Sequence, residues 1–270
     1  MLPEQWLYMK IHPTAIIDPS VELADDVEVQ AYTLIGPHVK IGAGTVVGPH
    51  CVLDGCTEIG ENNEFYSGAQ IGVLSQDLKH QRDLIGNTRI GNANIFREHV
   101  TVSASTMTRA DEEHRVTSIG DGCMFMAYSH VAHDCHVGSH VIMANCAALS
   151  GHVEVEDRVI IGGLSGVHQE CAVGRLAFVG GLSRVAKDVP PFMIVDGNPA
   201  RCCGPNVVGL KRNGLDSAQR ACIKQMFKIM FRSDLNTTQA IEEIEKVVED
   251  SEERKHFLDF VRRSVRGITK

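Results

Sequence analysis

The chain is poor in aromatic residues, at 5%, with a single Trp in 270 residues. A core built around large rings is therefore excluded, and the interior must be filled by aliphatic and small side chains. There is no leader-like segment and no apolar run long enough to cross a bilayer, so a membrane span is not expected. No C-x-x-C pair occurs among the 9 Cys, and the odd count does not read as a disulfide framework. Reduced thiols in a cytoplasmic protein are the expectation. Positive charge is in deficit: 26 Lys and Arg stand against 34 Asp and Glu, a formal net charge of −8, which argues against nucleic acid as a general partner. Neither a glycine-rich phosphate loop nor a G-x-S-x-G elbow is found.

What the chain has is a period. An aliphatic or aromatic residue leads every sixth position, with eleven hexads from Ile11 to Ile71, three from Ile90 to Val102 and twelve from Ile119 to Val185. None of the 26 lead positions is polar. Neither a helix nor a hairpin has a period of six, and the pattern marks a solenoid of short strands and corners. Hexads taken in threes make a triangular coil of 18 residues, and stacked coils form parallel sheets rising about 4.8 Å per coil. The lead residue is expected to point inward, with a nearby Gly, Asn or Asp supplying the turn. The period does not fix handedness, and ordinary crossover rules favour a right-handed coil. Cys51, Cys123, Cys135 and Cys171 at position five, with Cys56 and Cys146 at position four, are expected as small core fillers.

The register breaks at 77–89 and again at 108–118. A solenoid expels extra residues as surface loops, where function concentrates. The first insertion, with Asp77, Lys79, His80 and Arg82, carries both signs of charge and is the better functional candidate. The second, with Asp111, Glu112, Glu113 and His114, is acidic apart from flanking arginines. The hexads stop near Pro190-Pro191, which gives a β-helix over 1–196 and an exit segment with a small helical domain over 197–270. Asp216 or Ser217, Asn236 to Thr238, and Ser251 are placed to cap three helices. Residues 206–270 hold 13 Lys and Arg against 10 Asp and Glu, a mildly basic unit on an acidic body.

Folding the chain by its 18-residue coil stacks the hexads led by Val131, Leu149 and Val167. His133-Asp134, Gly151-His152 and Gln169-Glu170 then form a ladder along one corner. A His beside a carboxylate can serve as a general base. A bare Gly lets a substrate approach a backbone N–H, the usual ingredient of an oxyanion site. The string His130, His133, His136 has ligand-like spacing, but the three occupy different hexad positions, so no metal site is expected. Cys135 is close to His133 in sequence, yet its register turns it inward, which argues against a covalent nucleophile.

Several segments carry a resemblance beyond the repeat. They are Ile11-His-Pro-Thr-Ala, Gln76-Asp77-Leu78-Lys79, Ala132-His133-Asp134-Cys135, Gly151-His152-Val153, Val167-His168-Gln169, Gly209-Leu210-Lys211-Arg212 and Arg263-Ser264-Val265-Arg266-Gly267. In these the chain resembles, over essentially its full length, the hexapeptide-repeat acyltransferases, and most closely the UDP-N-acetylglucosamine O-acyltransferases of lipid A synthesis. The resemblance implies a mainly β fold, a left-handed parallel β-helix followed by a small C-terminal α-helical domain. It implies a homotrimer with sites between neighbouring helices and transfer of an R-3-hydroxyacyl group from acyl carrier protein to the glucosamine 3-hydroxyl, with no cofactor. By matching position, His133 is implied as general base, Asp134 as its orienting carboxylate and the Gly151 N–H as oxyanion donor. Asp77, Lys79, His130 and His152 match sugar- and acyl-contacting positions, and Gln169, Asn206 and Arg212 match the nucleotide side. Gly181 matches a position that limits acyl length, and a Gly there suits a longer chain. Lys211, Arg212, Arg262, Arg263 and Arg266 are offered as a docking surface for the acidic carrier protein. The chain departs from the pattern at Val208, Asn213 and Pro199. An N-acyltransferase of the same pathway is the alternative, although the relative acting at the next step carries an extra N-terminal domain and only about ten residues precede the repeat here. A catalytically silent β-helix scaffold is a further alternative, disfavoured by the His133–Gly151–His152 alignment.

Overall fold

The computed structural model describes residues 10–109 and 115–270. Asp111, Glu112, Glu113 and His114 of the second insertion lie outside the described residues, as do residues 1–9. The repeats form short strands, mostly of two residues, gathered in parallel sheets of nine, eight and eight strands that make the sides of a triangular prism, the last extended to ten by a hairpin beyond the repeats. Each strand takes the sixth residue of one hexad and the lead residue of the next, as in His130–Val131 or Ala148–Leu149. The sixth residue faces out and the lead residue is buried. Residues 18 apart pair across coils, as His130 does with Ala148 and Ala148 with Gly166. Ile59 pairs with Ile90, and Ile90 with Ile119, so each insertion is looped out without disturbing the stacking above and below it.

The interior is a column of lead residues. Phe65, Phe96 and Phe125 stack with centroids 4.8 and 4.9 Å apart, which matches the strand spacing of parallel sheets. Position five lines the same interior with small polar groups that bond to backbone within the stack. Thr33 Oγ1 donates to Gly48 O at 2.6 Å, and Cys123 and Cys135 donate to Gly138 O and Ser150 O at 3.1 Å each. The four position-five thiols are buried, as expected. Cys56 and Cys146 correct the expectation: both are exposed, Cys146 because it sits at a left-handed corner, at φ 59°, and Cys56 because it opens the strand Cys56–Ile59 on its outward face.

The turns also differ from the Gly, Asn or Asp expected. Most corners place an ordinary residue in the left-handed region, including Leu164 at φ 58° and Leu182 at φ 59°. Such a conformation costs roughly 1–2 kcal/mol for an L-residue. It is held by stacking: the corner amide donates to a carbonyl of the preceding coil, as His152 N does to His133 O at 3.1 Å and Leu164 N to Asn145 O at 3.0 Å.

After the last coil a hairpin of Met193–Asp196 and Arg201–Pro205 closes the ten-stranded sheet. Four helices follow: α1, Val207–Arg212; α2, Ser217–Arg232; α3, Thr237–Val247; and α4, Glu252–Arg263. Asp216, Asn236 and Ser251 cap α2, α3 and α4, the first two as full capping boxes with Gln219 and Gln239. Ile223, Met226, Phe227, Met230, Ile244, Phe257 and Phe260 form the helical core. Val265, two residues past the end of α4 at Arg263, is 97% exposed. Among the described residues no helix is long and apolar enough to cross a membrane.

Candidate active site

The strands ending in Ile71 (within Gln70–Val73), Val102, Val131, Leu149 and Val167 belong to one sheet. The corner that follows that sheet carries the ladder on its upper coils. Both insertions leave from the same corner one and two coils below. The ladder and the loops are therefore neighbours, a placement that the period alone does not announce.

The loops brace each other. Met107 N–H donates to His80 Nδ1 at 3.1 Å, Gln81 N–H to Met107 O at 3.0 Å and Arg109 N–H to Gln81 Oε1 at 3.0 Å, and Arg109 pairs with Asp83. The Ser75 and Thr106 hydroxyls share a buried hydrogen bond of 2.8 Å, and the Asp77 amide donates to Ser75 Oγ at 3.2 Å. Asp77 Oδ1 in turn accepts from Lys79 N–H at 2.9 Å, while Lys79 and Leu78 project into solvent. This turn brings the Asp77 carboxylate to His133 and His152, with one ligating atom of each within 4.8 Å of the other two.

On the ladder, His133 Nδ1 lies 2.8 Å from Asp134 Oδ2. Burial pushes the Asp134 carboxyl up, but hydrogen bonds from His133 and the Thr106 amide, with the charges of His152 and His133, outweigh it and hold the group below its ordinary value. Asp134 is thus a carboxylate and only accepts, so the bond fixes the His133 proton on Nδ1 and leaves the Nε2 lone pair free. Thr106 N–H reaches both carboxylate oxygens at 3.2 and 3.3 Å, and Asp134 N–H donates to Thr117 Oγ1 at 2.8 Å. His152 Nε2 stands 3.7 Å from the same carboxylate, its ring edge-on to His133 at 5.2 Å. His130 Nδ1 bonds Thr101 Oγ1 at 2.7 Å, and burial, helped by His133, depresses its pKa, so it is held neutral.

Gly151 has a steric reason that the sequence reading did not contain. A Cβ there would fall 2.4 Å from His133 Cε1 and 2.6 Å from Nε2, so the ring occupies the space a side chain would need. Among the described residues no backbone acceptor pairs with the Gly151 N–H. Cys135 is fully buried, donates to Ser150 O, and is pushed by burial up to about 12, which removes it as a nucleophile. The His130-x-x-His133-x-x-His136 string is dispersed: His130 turns to Thr101, and His136 bonds Ser118 on the solvent side of another sheet.

The remaining residues named from the sequence are spread over neighbouring coils. Gln169 is exposed on the next rung, its carbonyl oxygen 3.1 Å from His168 Nδ1. Asn206 is buried as the cap of α1, accepting from Gly209 N–H at 3.0 Å and donating to Leu176 O at 2.9 Å, so its amide clamps α1 to the coil. Lys211 and Arg212 lie in the exposed last turn of α1. Gly181 lies on a different corner from the ladder, where an added Cβ would meet only Gly163, at 3.4 Å or more, beside exposed Leu164 and Leu182. Arg262 is paired with Glu245, Arg263 with Glu154 and Glu156, and Arg266 with Glu170. Ser75, Thr101, Thr106 and Thr117, which hold the titratable groups in place, were missed in the sequence because lone hydroxyls leave no pattern.

A family model described as UDP-N-acetylglucosamine O-acyltransferase, domain 2, matches residues 188–269, and the bacterial transferase hexapeptide model matches residues 117–151. The acyl-[acyl-carrier-protein]–UDP-N-acetylglucosamine O-acyltransferase of an Anaeromyxobacter species is 45% identical over 97% of this chain and 100% of its own length. The chain belongs to the UDP-N-acetylglucosamine O-acyltransferase family. Among solved structures, LpxA from Acinetobacter baumannii aligns with a TM-score of 0.91 at 38% identity, over 97% of this chain and 100% of that one. The UDP-N-acetylglucosamine acyltransferase of Francisella novicida also gives 0.91, at 34% identity over 96% and 93% of the two chains. The coil is accordingly the left-handed parallel β-helix of that family, against the right-handed default of ordinary crossovers.

Proposed function

We propose that this chain transfers an R-3-hydroxyacyl group from acyl carrier protein to the 3-hydroxyl of UDP-N-acetylglucosamine, the opening step of lipid A synthesis, in the cytoplasm and without a cofactor of its own. The observation that carries the reading is the His133–Asp134 bond, which leaves Nε2 with its lone pair directly over Gly151. His133 Nε2 takes the proton of the acceptor hydroxyl as its oxygen attacks the thioester carbonyl. The oxyanion that forms is stabilised by the Gly151 N–H, a donor worth about 3 kcal/mol in such sites. As the C–S bond breaks, the carrier thiolate takes the proton back from His133, giving an ester and a free thiol. Asp134 holds the tautomer and stabilises the transient imidazolium. Asp77, Lys79, His130 and His152 surround the sugar and acyl carbonyl, and Gln169 and Arg212 face the nucleotide. Asn206 serves this side indirectly, by seating α1.

Gly181 and His133 lie on different corners of one prism. We place the acyl chain in the cleft between two copies of a homotrimer, where one copy would supply the ladder corner and its neighbour the Gly181 corner. The acyl tail would lie along the smooth strip of Gly163 and Gly181 beside Leu164 and Leu182. Carrier docking is carried best by the exposed Lys211 and Arg212. The arginines at the end of α4 contribute less, being spent on internal pairs.

The test is turnover of UDP-N-acetylglucosamine with hydroxyacyl carrier proteins of several lengths, with products read by mass spectrometry. His133→Ala is expected to lose about 10²–10⁴ in rate with the oligomer intact. Near-wild-type activity in that variant would remove the general-base assignment, and an amide product from an amino-sugar acceptor would favour N-acyl transfer.

A further inference from the structure

We propose that Asp77, His133 and His152 form a site for a divalent transition-metal ion of the zinc type, and that filling it switches the acyl-transfer centre off. One ligating atom from each of the three side chains lies within 4.8 Å of the other two. Two imidazoles and a carboxylate suit zinc, and four-coordinate zinc with bonds of about 2.0–2.2 Å draws its ligands to roughly 3.4 Å apart. The groups therefore need to close by up to about 1.4 Å. Two of them are free to do this: Asp77 sits on a loop, and the His152 side chain is 40% exposed. Asp77 spends one oxygen on Lys79 N–H and keeps the other available.

His133 is the fixed ligand, and its surroundings have the form of a prepared metal-ligating imidazole. Its Nδ1 is bonded to Asp134 at 2.8 Å, and Asp134 is itself bonded by the Thr106 amide. This carboxylate–histidine pairing fixes the tautomer and raises the basicity of the nitrogen that faces the ion. Three protein ligands leave the fourth position open to water. These are not the histidines of the His130-x-x-His133-x-x-His136 string: only His133 is shared, and the other two ligands come from a loop and from the next coil.

The inhibitory sense rests on the general-base reading above, because a lone pair bound to a metal cannot take a proton. The site itself does not depend on it. The test uses the full chain, cleared with a chelator and titrated with Co²⁺, whose visible absorption reports four-coordinate nitrogen and oxygen ligation without any turnover. One equivalent per chain is expected, displaced by Zn²⁺. Asp134→Asn should weaken binding by about 10–100-fold, and Asp77→Asn and His152→Asn by at least as much. His136→Ala, outside the trio, should leave it unchanged. Binding that is unaltered in both Asp77→Asn and His152→Asn, or lost in His136→Ala, overturns the site. Melting curves identify any variant that fails to fold, and His152→Asn, at an exposed corner, keeps the test open if Asp77→Asn does not fold. In the activity arm, Zn²⁺ should inhibit over the range in which it displaces Co²⁺, with recovery on chelation. Full activity at saturation overturns the switch. An active His133→Ala variant would sink the general-base reading while the Co²⁺ titration still reports the site.

Discussion

The β-helix and the helical unit on its end are stabilised in opposite ways. In the β-helix each coil repeats the contacts of the one before, and Phe65, Phe96 and Phe125 pack on one another as neighbouring coils do. The helical unit shares the hydrophobic cluster at the end of the prism, and its polar joint is a set of individual contacts. Glu156 accepts from His256 Nε2 at 2.7 Å and from Arg263, and takes the Arg175 amide. Asp188 accepts from Ser264 Oγ at 2.6 Å, and its backbone bridges to Gly267 and Thr269. A periodic structure spreads damage over many equivalent layers, whereas a joint of a few pairs concentrates it. The candidate site draws on both: His133 and Gly151 ride on stacked coils, while Asp77 approaches from the first insertion and Thr106, just before the second, bonds Asp134.

The sharpest break in this contrast should come from the stack. Phe96→Ala is expected to cost about 3–5 kcal/mol, read as a lowered denaturation midpoint, with the adjoining coils losing amide protection together. A purely local loss of protection would contradict the layered picture. Gly151→Ala comes next and acts on function alone. It forces His133 off its position and should lower turnover on the order of 10²-fold, while the melting temperature barely moves. Third is the joint. Glu156→Ala leaves His256 and Arg263 without their acceptor and should cost about 1–3 kcal/mol, with hydrogen exchange rising in α4 and not in the coils.

Acid should do to the joint what that substitution does. Burial raises the Glu156 pKa, but the bonds from His256 and the Arg175 amide, with the charges of His256 and Arg263, hold it below the ordinary value for a glutamate. A depressed folded pKa means that the stabilisation is fully present above the unfolded value and is lost as pH falls through the folded one. Exchange in α4 should therefore rise as pH falls through the acid range below the ordinary glutamate value, before the coils open. The smallest effect, of opposite sign, is expected at an exposed corner. Ala93 sits at φ 54°, and Ala93→Gly relieves that strain at some entropic cost, for a net gain of roughly 0.5 kcal/mol.

The same contrast decides what could be read in advance. Strands, coil length and the His133–Gly151–Gln169 ladder were legible because a fixed period carries position along the chain into position in space. The caps at Asp216, Asn236 and Ser251 were legible because capping is local chemistry. The return of Asp77 to His133, the support of Asp134 by Thr106 and the pairing of Arg263 with Glu156 were not. Each joins residues of unrelated register through a single close approach, hydrogen bond or charge pair. The short helix α1 escaped notice because so brief a segment has almost no amphipathic signature. Cys56 and Cys146 were misplaced by reading position four as interior, when both face outward.

Both loops and the ladder share one corner, so the loop-to-base spacing is set along the prism axis. Deleting the three hexads 90–107, one storey of the prism between Asp77 and His133, would preserve the register of lead residues above and below the cut. It would also shift the loop by one storey, about 4.8 Å, and carry the Asp77 carboxylate past the imidazole it now faces. In this molecule the reach of a loop is counted in floors of the building and not in residues of chain.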